Sequence, residues 1–189
     1  MSTYLVLTRE TAPDDASPVL AQLQQAFGFL PNVAGVMAAS PALIKSFWSL
    51  FSGVHAGTFT DAELQVLLLT NAVTNGAEWA VAFHSGLALH FGIDGADVKA
   101  IRGARLPGQS RLAALSTLSR RLIEQRGKLT PAEQVEFVAA GFRPEQLLEA
   151  TSVVAASTIT NYVSSIAQPP VEAAFADHVW QSAASNSPE

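Results

Sequence analysis

The 189-residue chain has no cysteine. That excludes disulfides, thiolate metal sites and any thiol redox step performed by the chain itself. Charge is also scarce, at 14% of residues, where about a quarter is usual. Eleven basic residues face 16 acidic ones, for a net charge of -5. The densest basic cluster, Arg120, Arg121, Arg126 and Lys128, reads as a solvated helix end. Nucleic acid is therefore not an expected partner, because phosphates require a concentrated basic patch. No run approaches the roughly 18 apolar residues of a membrane span. The opening MSTYLVLTRE carries no basic stretch of the kind that begins a signal peptide, so a cytoplasmic protein with no membrane partner is expected. Histidines 55, 84, 90 and 178 form no His-x-x-x-His pair, and no metal is expected. There is no GxGxxG, P-loop or GxSxG motif.

What is present is apolar. Hydrophobic residues make up 49% of the chain, and mean hydropathy is +0.24. Folding to a compact body buries roughly 70% of the unfolded surface at this size, enough for one domain, residues 1–189, with one core. A chain so short of charge is expected to hide part of its surface against copies of itself.

Start and stop signals are helical throughout. Ser17-Pro18, Asn32, Ser40-Pro41, Asp94 and Ser110 read as helix starts, and Gly28, Gly57, Gly92, Gly103, Gly127 and Gly141 as stops. Thr60-Asp-Ala-Glu63 and Thr130-Pro-Ala-Glu133 are capping boxes, 70 residues apart in similar surroundings. Gly76 splits a helical stretch in two. A long helix runs from Pro144 to about Gln168, and the last dozen residues read as frayed. Strand signals are confined to Tyr4–Thr8 and to Val153–Ile159, the latter inside a helical frame. The fold class is all-α, with eight or nine helices.

The stretch from Glu63 to Asp94 carries the chemistry. On its second helix Ala77, Ala80, Val81, His84 and Ala88 share one face by i+3/i+4 spacing. An imidazole on a face of alanines is a candidate acid or base beside a small cavity, because it titrates near neutrality. His90 and His55 read as helix C-terminal cations, and His178 as part of the frayed end.

Asn75-Gly-Ala-Glu-Trp-Ala-Val-Ala-Phe-His84, with Glu63 upstream, resembles the AhpD-like or carboxymuconolactone decarboxylase superfamily, in its peroxidase-related branch. Phe29-Leu-Pro-Asn32, Ser40-Pro-Ala-Leu43, Leu129-Thr-Pro-Ala-Glu133 and Thr160-Asn-Tyr-Val163 are similar to its flanks, over about residues 18–175. The resemblance implies an all-α AhpD-like bundle that forms dimers, trimers or hexamers, and no organic cofactor. It also implies a Cys-x-x-Cys pair where this chain has Ala77 and Ala80. Alanine is not a nucleophile, so a thiol peroxidase mechanism cannot run here.

Three readings follow. One is a diverged enzyme that acts on a small organic molecule, with His84 as proton shuttle, Glu63 as relaying carboxylate, and Ala77, Trp79, Ala80 and Phe83 as the substrate pocket. The second is a non-catalytic oligomer that holds a small apolar ligand where the sulfur atoms would be. The third is a Cys-to-Ala form of a hydroperoxide reductase. The enzymatic reading requires Glu63 and His84 to converge on one hollow.

Overall fold

The computed structural model describes residues 4–182. Nine α-helices follow in order among them: α1 Ser17–Phe27, α2 Asn32–Met37, α3 Pro41–His55, α4 Asp61–Thr74, α5 Glu78–His90, α6 Gly95–Arg102, α7 Ser110–Glu124, α8 Pro131–Ala139 and α9 Pro144–Ala167. A 3-10 helix, Ala173–His178, closes the described chain. No strand forms among these residues. Tyr4–Thr8 hangs on α2 through Leu7 N–H to the Gly35 carbonyl, 3.2 Å.

Helix α4 is the axis of the bundle, packing against α5, α6, α7 and α9. Its sequence explains the placement. Every residue from Glu63 to Ala72 is buried, and a helix apolar nearly all round is stable only when surrounded. Its few polar residues are paired. Asn161 on α9 donates to Asn71 Oδ1 at 2.9 Å, Asn71 donates to the Val154 carbonyl at 3.2 Å, and Ser119 on α7 donates to the Leu67 carbonyl at 3.0 Å. Buried polar groups satisfied in this way fix the rotation of α4 against its neighbours.

Both capping boxes form. Gly76 ends α4 with φ 65°, a left-handed turn that glycine adopts without penalty. The Ala77 N–H then returns to the Ala72 carbonyl at 2.9 Å, and α5 folds back on α4.

Three expected caps are corrected. Ser17, Asn32 and Ser110 are each the first helical residue, one place inside the cap. The cause is partner choice. Ser17 Oγ donates to the Arg9 carbonyl at 3.1 Å. The Asn32 N–H goes to Glu172, at 2.6 Å, so a carboxylate 140 residues away caps α2.

The C-terminal segment is also corrected. As far as Ser182 it is fastened rather than frayed, and the frayed-end expectation for residues 183–189 lies outside the described residues. Arg102 on α6 donates to the carbonyls of His178 and Val179 at 2.7 and 3.0 Å, and Trp180 Nε1 donates back to the Arg102 carbonyl at 3.1 Å. Phe175 lies so close over Gly86 that a Cβ there would collide with its ring.

Candidate functional site

Helix α5 sends Trp79 and Phe83 toward α1 and α3. The two rings stack at 4.8 Å, and Phe27 meets Phe83 at 5.6 Å and Phe51 at 5.4 Å. Between them lies a cavity of about 60 Å³, whose walls are almost wholly apolar. At about 30 Å³ per water in the liquid, that is room for roughly two waters. A wider outer chamber of about 640 Å³, with Trp48, Asp61, Gln65 and His90 on its walls, shares Phe27, Phe51, His55, Leu68 and His84 with it. His84 and His55 thus stand at the threshold between the two spaces.

His84 is 8% exposed. Burial, with a smaller contribution from the neighbouring His55, pushes its pKa down to about 3. The ring is therefore neutral near pH 7. Its Nδ1 is 2.9 Å from Gln65 Oε1 on α4. His55 packs on Phe51 with ring centroids 4.3 Å apart and planes tilted by 47°. Burial also lowers the His55 pKa, and the Asp61 carboxylate offsets part of that shift.

Glu63 and His84 are not brought together. Glu63 Oε2 accepts from the Thr60 N–H at 3.0 Å, and Oε1 accepts from Arg111 Nε and Nη2, each at 2.8 Å. Arg111 also covers the Phe142 ring and donates to the Gly141 carbonyl. Glu63 lines neither chamber. Residues 63 and 65 lie about 200° apart around an α-helix. When Gln65 turns toward His84, Glu63 necessarily faces α7.

Ala77 and Ala80 are corrected too. Both are fully buried in the core and line neither space. Helices α4 and α5 pack against each other there. The cavity lies beside Trp79 and Phe83, which do line it as expected. The Trp79 indole N–H has no hydrogen-bond partner of good geometry. It still favours the ionised Glu172 carboxylate, although burial is the larger effect and raises the Glu172 pKa.

Gln65, His55 and Asp61 were missed. An amide carries no acid–base signature, and His55 and Asp61 flank a loop whose fold-back is not visible in local spacing. Among the described residues, no group of three or more His, Cys, Asp or Glu is arranged to hold a metal ion. No described helix is long and apolar enough to cross a membrane.

No family profile matches the chain, and no curated protein matches it either. Solved structures do. An uncharacterised peroxidase-related protein with an alkylhydroperoxidase AhpD core, from Ralstonia eutropha JMP134, superposes with a TM-score of 0.81 at 17% identity, over 92% of this chain and 94% of that one. The debrominase Bmp8 in its apo form gives 0.72 at 18% identity, over 92% and 94%. A Cys-to-Ala variant of Bmp8 in complex with 2,3,4-tribromopyrrole gives 0.69 at 20% identity, over 92% and 95%. Similarity this extensive in shape and this low in identity establishes the architecture alone: the chain has the AhpD-like, all-α fold.

Proposed function

We propose that the chain binds a small, flat, largely apolar molecule in the cavity beside Trp79 and Phe83, with His84 as its polar contact. The observation that carries this reading is the state of His84. A general base works best with a pKa near the working pH, whereas this imidazole is buried and neutral with its pKa near 3. Glu63, its expected relay, is occupied by Arg111. The chain also supplies no thiol. What remains is an aromatic-walled space with a few polar groups, His84 and His55 at its mouth and Ser157 and Thr160 on its wall, the usual form of a small-molecule site. The tribromopyrrole complex of Bmp8 lends support, since it places a small flat ring in a protein of this shape.

Thermal unfolding with a panel of small aromatics tests the reading. A ligand at 100 times its Kd stabilises by about 2.7 kcal/mol, which for a chain of this size is roughly 5–10 °C in Tm. Ala156→Leu, at a cavity wall, removes that shift while leaving the fold intact. No shift with any member of the panel would refute it.

A second reading, acid–base turnover of the same ligand, is favoured by one observation: Asp61 stands in the outer chamber near His55. It assigns the proton-transfer role expected of Glu63 to Asp61, with His55 and His84. Loss of product formation in Asp61→Asn, with ligand binding retained, is its signature.

We further propose that the protein works as a homo-oligomer in the cytoplasm. From 150 to 167, α9 carries no charged residue, and its Tyr162 and Ile166 side chains are exposed. Light scattering on Tyr162→Arg/Ile166→Glu reads the assembly, and an unchanged mass would remove α9 from the interface.

A further inference from the structure

Proton placement on His84 restricts what the cavity can accept. The Oε1 atom of Gln65 is an amide carbonyl oxygen and can only accept a hydrogen bond. With the amide oxygen turned to it at 2.9 Å, Nδ1 carries the hydrogen, an assignment that follows the orientation of the Gln65 amide. A neutral imidazole has one N–H and one lone pair, so Nε2 presents the lone pair. Nε2 makes no hydrogen bond to any described residue, and the ring lines both chambers while remaining more than nine-tenths buried.

Among the other polar groups on the cavity wall, His55 stands at the threshold against the Phe51 ring and near Asp61. Thr160 Oγ1 donates to the Ser157 carbonyl at 2.9 Å, and Ser157 Oγ accepts from Asn161 at 3.4 Å. The Trp79 indole N–H has no hydrogen-bond partner, although it favours the ionised form of Glu172. No cationic side chain lines the inner space.

We propose that the cavity selects an uncharged aromatic molecule bearing one O–H or N–H donor, which His84 Nε2 accepts, and that Gln65 is the positioning residue that decides which ring nitrogen is presented. This rests on the ligand-binding reading above and narrows it. A phenol satisfies both the apolar walls and the lone pair. Toluene, of nearly the same shape, offers Nε2 no donor. Benzoate brings a charge and a second acceptor against it. A glutamate at position 65 would reverse this logic. Its carboxylate would favour the imidazolium, Nε2 would become a donor, and an anion would be preferred.

Calorimetric titration with phenol, toluene and benzoate, together with 15N spectra of the imidazole, tests the proposal. In the wild-type chain phenol binds about 10- to 100-fold more tightly than toluene, the span expected for a buried acceptor left unpaired, and benzoate does not bind. The spectra show Nδ1 protonated and Nε2 not, and phenol moves the Nε2 signal while toluene does not. In Gln65→Leu, toluene binding persists and the preference for phenol falls below about threefold. In Gln65→Glu, benzoate binds. Equal affinity for phenol and toluene, or a proton found on Nε2, overturns the selection rule and leaves the apolar site standing. Binding of neither ring overturns both.

Discussion

Positions 63 and 65 sit two places apart on α4 and lead different lives. Glu63 bonds the Thr60 N–H and Arg111, and so pins α4 to α7 and to the turn before α9. Gln65 faces the opposite side, where it hydrogen-bonds His84. The charged residue is the structural one, and the uncharged residue touches the site. Chemical reactivity read from a residue type is therefore a poor guide unless the helix face is known first. Glu133 fills an identical capping box on α8, and its side chain is nearly as shielded as that of Glu63. There, hydrogen bonds from Gln125 and Thr130, with Arg121 nearby, hold its carboxyl at about 2.

Acid sensitivity sharpens the comparison most. The folded His84 pKa lies near 3 against an ordinary 6.5, so the unfolded chain takes up the proton first as pH falls. Stability is complete above about pH 6.5 and declines toward pH 3, by roughly 3 kcal/mol between pH 7 and pH 4. His55 acts in the same direction. The Glu172 carboxyl, with its raised pKa, offsets a part at the acid end. Denaturant titrations at each pH read the effect, and in His84→Gln most of it disappears. A wild-type stability that stays flat over that range would show the ring to be solvated.

Removing the structural carboxylate comes next. Glu63→Leu strips both the cap and the partner of Arg111 and costs about 2 kcal/mol, because the pair is only partly shielded from water. That corresponds to a Tm drop of roughly 4–8 °C. Glu63→Gln keeps the cap and loses less. Ligand affinity, measured below the new Tm, stays at the wild-type value in both variants. A large fall in affinity would place Glu63 in the site after all. The smallest change is expected from Glu133→Gln, about 2 °C in Tm, since glutamine keeps an acceptor for the Thr130 N–H. A drop as large as that of Glu63→Leu would show that the amide does not serve as that acceptor.

Much of the architecture was legible in the sequence because helix punctuation is local chemistry. Gly28, Gly76 and Gly127 sit at positive φ, where glycine is the residue that fits. Thr60 and Thr130 cap through bonds that span three residues. The failures came from distance along the chain. Glu172 takes the Asn32 N–H across 140 residues, and Arg111 reaches Glu63 across 48. Neither pairing leaves a trace in spacing. Within the site, Trp79, Phe83 and His84 could be found from the sequence because they lie on one helix. Gln65, His55 and Asp61 converge only after α3, α4 and α5 have packed. The vacancy expected at Ala77 and Ala80 failed because both are buried where α4 packs against α5.

The segment held by Arg102 has a consequence for durability. Phe175 touches Phe83 and Phe29, so one side of the aromatic chamber is buttressed by residues that lie after the last α-helix. A single proteolytic nick near Pro169 would cut that buttress from the bundle without unfolding any α-helix, and the cleaved protein would keep its circular dichroism spectrum while its grip on a bound ring loosened.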